Sequence, residues 1–240
     1  MQPSLVSLAS LPAAPLDDVL RGLQGSLDTV WILTATALVF FMQLGFALLE
    51  GGAVRAKNTV NVIMKNYTDM CFGGLAFALV GFGLMFGSNS TGWIGTDRFF
   101  LSNITPQQMS FVLFQMMFAA TAATIVSGAL AERIRYRPYV VFSVLMTTFI
   151  YLIFGSWAWG SFFDGTTGWL RGLGFVDFAG ATVVHAVGGW CALAGIVVLG
   201  PRLGRFSRTG EARLIPGHNL PLVAAGGFIL WLGWLSLIHI

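Results

Sequence analysis

Apolar residues in this chain come in long unbroken runs, not in the alternating or one-sided patterns of soluble domains. Six stretches contain no Asp, Glu, Lys or Arg: Val30 to Leu49, Met70 to Phe86, Phe111 to Ala131, Tyr139 to Phe163, Phe178 to Leu199 and Leu220 to Leu237. Each reaches or nears the length needed to cross about 30 Å of hydrocarbon at roughly 1.5 Å per residue. Gly, Ala and Phe interleave within them, which predicts closely packed helices; barrel strands would alternate apolar and polar residues over about ten positions. The second stretch is short and is entered through Tyr67-Thr68-Asp69. The pattern predicts an all-α polytopic membrane protein with about six transmembrane helices.

Basic residues punctuate the runs on alternate sides. Arg55, Lys57 and Lys65 follow span one, Arg133, Arg135 and Arg137 follow span three, and Arg202, Arg205, Arg208 and Arg213 follow span five. Only Arg21, Arg98 and Arg171 fall on the other side. Lys and Arg accumulate in short cytoplasmic connections, so this alternation puts the N-terminus outside.

Composition agrees with that reading: 56% of residues are hydrophobic, 10% are charged and the mean hydropathy is +0.78, far from the balance of a soluble domain. The net charge is only +3, and ten of the thirteen basic residues are shared among three short loops, which argues against a nucleic-acid partner. Residues 1–28 carry Pro12, Pro15, Asp17 and Asp18 and read as an outside segment or a signal sequence; the apolar part, Leu5 to Ala14, lacks a basic n-region. Cys71 and Cys191 lie within spans and read as small packed hydrophobes.

The candidate for chemistry is His185, an ionisable side chain in the otherwise uncharged run from Phe178 to Leu199. If Asp177 is the N-cap of span five, His185 lies eight residues along, roughly 12 Å deeper and near the bilayer midplane. Ala181, Thr182, Gly188 and Gly189 share its helical face. Such small neighbours either let another helix approach closely or leave a narrow cavity beside the imidazole. The histidine is either hydrogen-bonded across a helix interface or handles a proton near neutral pH.

Four motifs in order carry a family resemblance: Gly45-Phe-Ala-Leu-Leu-Glu50-Gly-Gly-Ala-Val-Arg55-Ala-Lys57-Asn58, Gly128-Ala-Leu-Ala-Glu132-Arg133, Asp177-Phe-Ala-Gly-Ala-Thr-Val-Val-His185 and Pro216-Gly-His-Asn219-Leu-Pro. Over roughly residues 28 to 235 the chain resembles the ammonium transporter (Amt/Mep/Rh) family, most closely an Amt-type member. The resemblance implies an eleven-helix fold of two five-helix halves of opposite topology plus a last helix, assembled as a homotrimer in the plasma (inner) membrane. It implies no cofactor, metal or enzymatic activity, and it leaves room for a PII-type regulatory protein on the cytoplasmic side.

By the same resemblance Phe118 matches the first gate phenylalanine, Trp159 the tryptophan of an outer ammonium site, Asp177 the essential aspartate below it, and His185 the first of twin pore histidines. A tryptophan face attracts a cation through its quadrupole. A dry pore then rejects bare ions by desolvation, whereas ammonium sheds its proton and passes as NH₃. The histidines either relay that proton or accept a hydrogen bond from the passing molecule.

Each residue has a plainer reading. Phe118 is one of 21 phenylalanines, Trp159 is placed like an interfacial anchor, and Asp177 reads better as a helix cap than as a ligand. His218 reads as a loop group before a helix start, and Glu132 as a charge paired with Arg133 and Arg135.

The tail Gly233-Trp-Leu-Ser-Leu-Ile-His239-Ile240 departs from the family pattern after residue 235. The second gate phenylalanine would align near Leu237, and the partner histidine lies beyond the end. His239 falls in the divergent tail and is not that partner. The expectation is therefore a domain over residues 29–235, comprising the N-terminal repeat and the start of the second, with residues 236–240 a truncation artefact. Such a fragment is expected to insert without conducting.

Two other classes remain. An ammonium sensor on the same scaffold reports through a cytoplasmic domain. A haem-binding subunit needs a second axial group, and no other midspan histidine is present.

Overall fold

The structure, a computed structural model, describes residues 16–160, 163 and 165–237. The expected signal-like stretch Leu5 to Ala14 and the tail residue His239 lie outside the described residues.

Six principal helices follow one another: α1 (Leu16–Ala53), α2 (Ala56–Phe86), α3 (Pro106–Ala129), α4 (Tyr136–Trp159), α5 (Ala181–Leu199) and α6 (Leu220–Leu237). The first five are long and apolar enough to cross a membrane, and Leu220–Leu235 forms a shorter apolar sixth. Their order and number match the hydropathy reading.

Local chemistry sets several ends. Thr105 Oγ1 accepts from Gln108 N at 3.3 Å while Thr105 N donates to Gln108 Oε1 at 3.0 Å, a reciprocal capping box that opens α3 with Pro106 in its first turn. Asn219 Oδ1 accepts from Leu222 N at 3.0 Å at the start of α6. Gly200, with φ +73°, and Pro201 stop α5.

α3 is the central post. Ala119, Ala120, Ala122, Ala123 and Thr124 are fully buried, and minimal side chains there let neighbouring helices pack close. α1 and α6 meet through glycine as well. A Cβ on Gly45 would lie 3.0 Å from Gly226 O, and a Cβ on Gly226 would lie 2.5 Å from Gly45 O, so the two backbones touch. The crossing joins the segments Phe40 to Phe46 and Leu230 to Trp234, which share an aromatic and glycine pattern in the sequence.

Two boundaries differ from the hydropathy reading. Residues 16–28 are helical and continuous with span one. The second span begins at Ala56, not Met70, so Asp69 and Lys65 sit within a helix and are completely buried. The charge-free runs thus understate the spans, and Lys65 does not belong to the loop that follows span one; nine basic residues mark that face. These charges are tolerated because partners from other helices surround them, as described below.

Glu132 also corrects an expectation. It pairs not with Arg133 and Arg135 but with Arg55 at 3.0 Å and Arg202 at 3.4 Å, and it accepts from Asn58 Nδ2 at 2.7 Å and from the Arg55 backbone N at 2.9 Å. The turn after α3, with Glu132 at φ +63°, aims the carboxylate back at the α1–α2 connection. Three interhelical connections are tied at one point. Burial favours the neutral acid, but the Arg55 and Asn58 hydrogen bonds and the Arg55 charge outweigh it and hold the carboxyl at about 2.

Because the folded value is depressed, this stabilisation is full above about pH 4.5 and is lost as pH falls toward 2. Glu132→Ala is expected to cost about 2 kcal/mol, less than a fully buried pair because both arginines are partly exposed. A lowered unfolding midpoint in detergent at neutral pH, with the difference vanishing in acid, is the check.

Candidate functional site

Phe118, Trp159 and Asp177, far apart in sequence, line one cavity of about 320 Å³. Phe118 comes from the middle of α3, Trp159 ends α4, and Asp177 precedes α5. Phe86, Phe111, Phe114 and Phe175 complete an aromatic wall, and Gln115, Arg171 and Asp177 supply polar groups. The rings meet edge to face: Phe114 and Phe118 at 4.7 Å and 81°, Phe118 and Trp159 at 6.3 Å and 78°. Such a cavity presents ring faces to a cation. Gln115, Phe114 and Arg171 were not singled out from the sequence; Gln115 and Phe114 lie three and four residues before Phe118 on α3, on its face.

Asp177 is wholly committed to the chain. Its Oδ1 accepts from Gly180 N at 2.7 Å and Ala181 N at 3.1 Å. Its Oδ2 accepts from Thr182 N at 2.9 Å, Thr182 Oγ1 at 2.5 Å and Val183 N at 2.8 Å. Two carboxylate oxygens offer about four lone-pair sites, so none is left for a cation. Burial pushes the carboxyl up, yet hydrogen bonds from the Thr182 hydroxyl and from the Val183, Thr182 and Gly180 amides hold it below the usual carboxylate range. Asp177 caps the helix and positions the cavity wall.

Trp159 is anchored to the same turn, its Nε1 donating to Asp177 O at 2.6 Å. Gly180, at φ +94°, makes this packing possible, since a Cβ there would lie 2.6 Å from Val184 Cγ2 and 3.3 Å from the Trp159 ring.

His185 does not line the cavity. α5 opens as a wide π-helical turn over Ala181–Ala186, with Gly180 O accepting from both Val184 N and His185 N at 3.0 Å. Counted from Ala181, His185 lies four residues along, about 6 Å by helical rise, shallower than a helix starting at Asp177 would put it. Its half-buried ring packs edge-on against Trp234 of α6 at 5.8 Å and, among the described residues, makes no side-chain hydrogen bond. The small neighbours divide: a Cβ on Gly188 would lie 3.0 Å from Ala122 O, a close helix approach, whereas Gly189 faces open space.

His218 ties the segment before α6 to the end of α1, its backbone N and Nδ1 each 3.0 Å from Val54 O. Cys71 and Cys191 are free thiols. Among the described residues no cluster of three or more His, Cys, Asp or Glu could hold a metal ion.

A profile described as Ammonium Transporter Family matches residues 30–237. The chain is 48% identical over 219 residues to ammonium transporter Amt2 of Archaeoglobus fulgidus, covering 86% of this chain and 46% of that one. It is 47% identical over 217 residues to a putative ammonium transporter of Synechocystis, covering 88% and 40%. In structure it is similar to a "Sensor Amt Protein", with a TM-score of 0.87, 43% identity and coverage of 90% of this chain and 55% of that one. It also resembles Mep2 of Candida albicans, with a TM-score of 0.76, 32% identity and coverage of 88% and 47%. The chain spans about half the length of these relatives.

Proposed function

The chain belongs to the ammonium transporter family, and on that premise we propose that the full-length protein carrying it recruits ammonium in the aromatic cavity and conducts it as NH₃. The observation that carries this reading is the convergence of Phe118, Trp159 and Asp177 on one cavity, with His185 two residues past the turn that Asp177 caps. Trp159 offers its ring face to the cation, and Phe118 closes the inner end of the cavity as a gate. The ion gives up its proton there because the dry interior beyond penalises charge. His185 then either relays that proton or accepts a hydrogen bond from the passing ammonia.

The wider expectations follow from the same premise. The arginine-rich face, carrying Arg133, Arg135, Arg137 and Arg202, is cytoplasmic and the N-terminus is outside. The protein sits in the plasma membrane as a homotrimer, and its cytoplasmic face is where a PII-type regulator docks.

Trp159→Leu in the full-length protein, reconstituted in liposomes, tests the reading. The ammonium concentration for half-maximal flux is expected to rise about five- to thirtyfold, the equivalent of ~1–2 kcal/mol of cation–π attraction. Trp159→Phe keeps a ring face and loses only the Nε1 bond, so its effect is expected to be smaller. Equal half-saturation in wild type and Trp159→Leu would sink the recruiting role.

A second reading, an ammonium sensor, draws on the likeness to the Sensor Amt Protein. The same cavity then binds ammonium without passing it. Trp159-dependent binding in the absence of flux would select that reading.

A further inference from the structure

A second polar centre lies apart from the aromatic cavity, toward the arginine-rich face. Glu50 of α1, Lys65 and Asp69 of α2, and Thr124 and Ser127 of α3 are all buried. Glu50 Oε2 accepts from Ser127 Oγ at 3.0 Å and Asn66 Nδ2 at 3.2 Å. Lys65 Nζ donates to Ser127 O at 3.2 Å and lies 5.1 Å from the centre of the Tyr139 ring. Asp69 Oδ2 accepts from Tyr139 OH at 2.6 Å and Thr124 Oγ1 at 3.3 Å.

The charges do not cancel by contact. Among the described residues no Lys65 nitrogen comes within 4.0 Å of either carboxylate, although a purely structural buried ion pair gains its stability from such contact. Hydrogen-bonding capacity is also left over inside the cluster. Asn66 Oδ1 is buried without a partner, the Ser143 hydroxyl faces the Asp69 carboxylate just outside ideal hydrogen-bond geometry, and Lys65 has spent one of three donors. Buried polar groups that do not meet directly can be linked by bridging water. Asp69 also opens a π-helical turn, Asp69–Gly73, a distortion frequent at functional sites.

The cluster has an approach. Glu50 forms part of the wall of a cavity of about 350 Å³ whose other lining includes Gly128, Arg133 and Arg202. A Cβ on Gly128 would lie 3.2 Å from Glu50 Oε1, so glycine there leaves the carboxylate its room. In the other direction Thr124 Oγ1 lies 3.3 Å from Asp69 Oδ2 and 3.2 Å from Gln43 Oε1, its single proton going to one acceptor or the other, and Gln43 Nε2 donates to Thr121 Oγ1 at 2.9 Å. On α3, Ser127, Thr124 and Thr121 lie on one three-residue row whose next members are Phe118 and Gln115, both lining the aromatic cavity. Phe118 is the apolar break between the two centres.

We propose that Glu50, Lys65 and Asp69 form a proton-binding site that exchanges with water through the cavity at the arginine-rich face. The charge count fixes its stoichiometry. Two carboxylates and one ammonium group leave one net negative charge in a fully buried cluster, and one proton taken from water onto either carboxylate cancels it, leaving hydroxide to the solvent. The titratable groups facing the site are Glu50 from α1, Lys65 and Asp69 from α2 and Tyr139 from α4. Thr124, Ser127 and Gln43 add uncharged polar groups. Arg133 and Arg202 stand at the cavity, the latter paired with Glu132.

The test is infrared difference spectroscopy of the full-length protein in liposomes, reading the protonated-carboxyl C=O stretch. It requires no ammonium flux, so failure of the transport reading and failure of this one are separate results. Wild type is expected to show one buried protonated carboxyl at neutral pH whose band shifts promptly in D₂O. Either Glu50→Gln or Asp69→Asn is expected to remove it. Lys65→Met, which deletes the cluster's ammonium group, is expected to raise the band about twofold, because two protons are then needed for neutrality. Absence of the band in folded wild type between roughly pH 5 and 8 overturns the proposal whatever the variants do. So does a band unchanged in the folded Glu50→Gln and Asp69→Asn proteins, or one that stays unshifted in D₂O.

Discussion

Asp177→Ala in the full-length protein is expected to lower ammonium flux by about a hundredfold and to lower the unfolding midpoint in detergent. The carboxylate accepts hydrogen bonds from the Gly180, Ala181, Thr182 and Val183 amides and from the Thr182 hydroxyl. Removing it leaves several donors at the start of α5 unsatisfied, at about 1–3 kcal/mol each where water cannot replace it. The same loss frees the turn that holds Trp159 through Asp177 O and orients His185 through Gly180 O. Asp177→Asn is expected to be nearly as damaging, since one acceptor oxygen becomes an NH₂ group facing other donors.

The pH dependence carries the sign of a depressed acid. The native carboxyl titrates below its unfolded value of about 3.8, so its stabilisation is complete above that pH and is lost as pH falls through the depressed value. Between about pH 5 and 8 the stability difference between wild type and Asp177→Ala is therefore expected to stay flat. Wild-type flux in Asp177→Ala would remove the aspartate from the mechanism, and a difference that grew across that range would mean a neighbour titrates with it.

The sequence made the helices and the cap legible for a common reason: each rests on a local signal. Six charge-free runs give the spans, and Asp177 followed by Gly180 and an apolar run is a helix start with its own chemistry. Phe118 and Trp159 carry no local signal of a site; only the family resemblance singled them out, and the fold then brings them to Asp177.

The Glu50, Lys65 and Asp69 centre was hidden for the opposite reason. A hydropathy window treats a charge as a boundary, so it starts span two after Asp69 and leaves Lys65 in a loop. Burial of those charges depends on groups 55 to 77 positions away, Thr124, Tyr139 and Ser127. One trace was available: Lys65 and Asp69 are spaced i, i+4, and Thr121, Thr124 and Ser127 repeat every three residues on an otherwise apolar helix. A polar row facing a charged row is a pairing that only tertiary structure can establish. Glu132 shows the same limit, since its adjacent arginines were the obvious partners and the fold chose Arg55 and Arg202 instead.

Gly226→Leu is expected to prevent recovery of folded protein altogether. The position is set by backbone against backbone: a Cβ on Gly226 would lie 2.5 Å from both Gly45 O and Leu49 N and 2.9 Å from Leu49 Cβ. A flexible side chain could turn away from such a clash, but a carbonyl within α1 cannot move without breaking its own helical bond. Even Gly226→Ala must push α1 and α6 apart, at a cost of about 1–3 kcal/mol, and Leu exceeds the range that local adjustment absorbs. Separating these helices also moves Trp234 of α6 away from His185. Gly227 provides the contrast, because a Cβ there meets nothing within 4 Å in this bundle. Monodisperse yield and unfolding midpoint in detergent are expected to fall steeply along Gly226→Ala and Gly226→Leu. Gly227→Ala leaves the α1–α6 crossing intact, so a comparable loss there in the full-length protein would locate a contact with residues outside this segment.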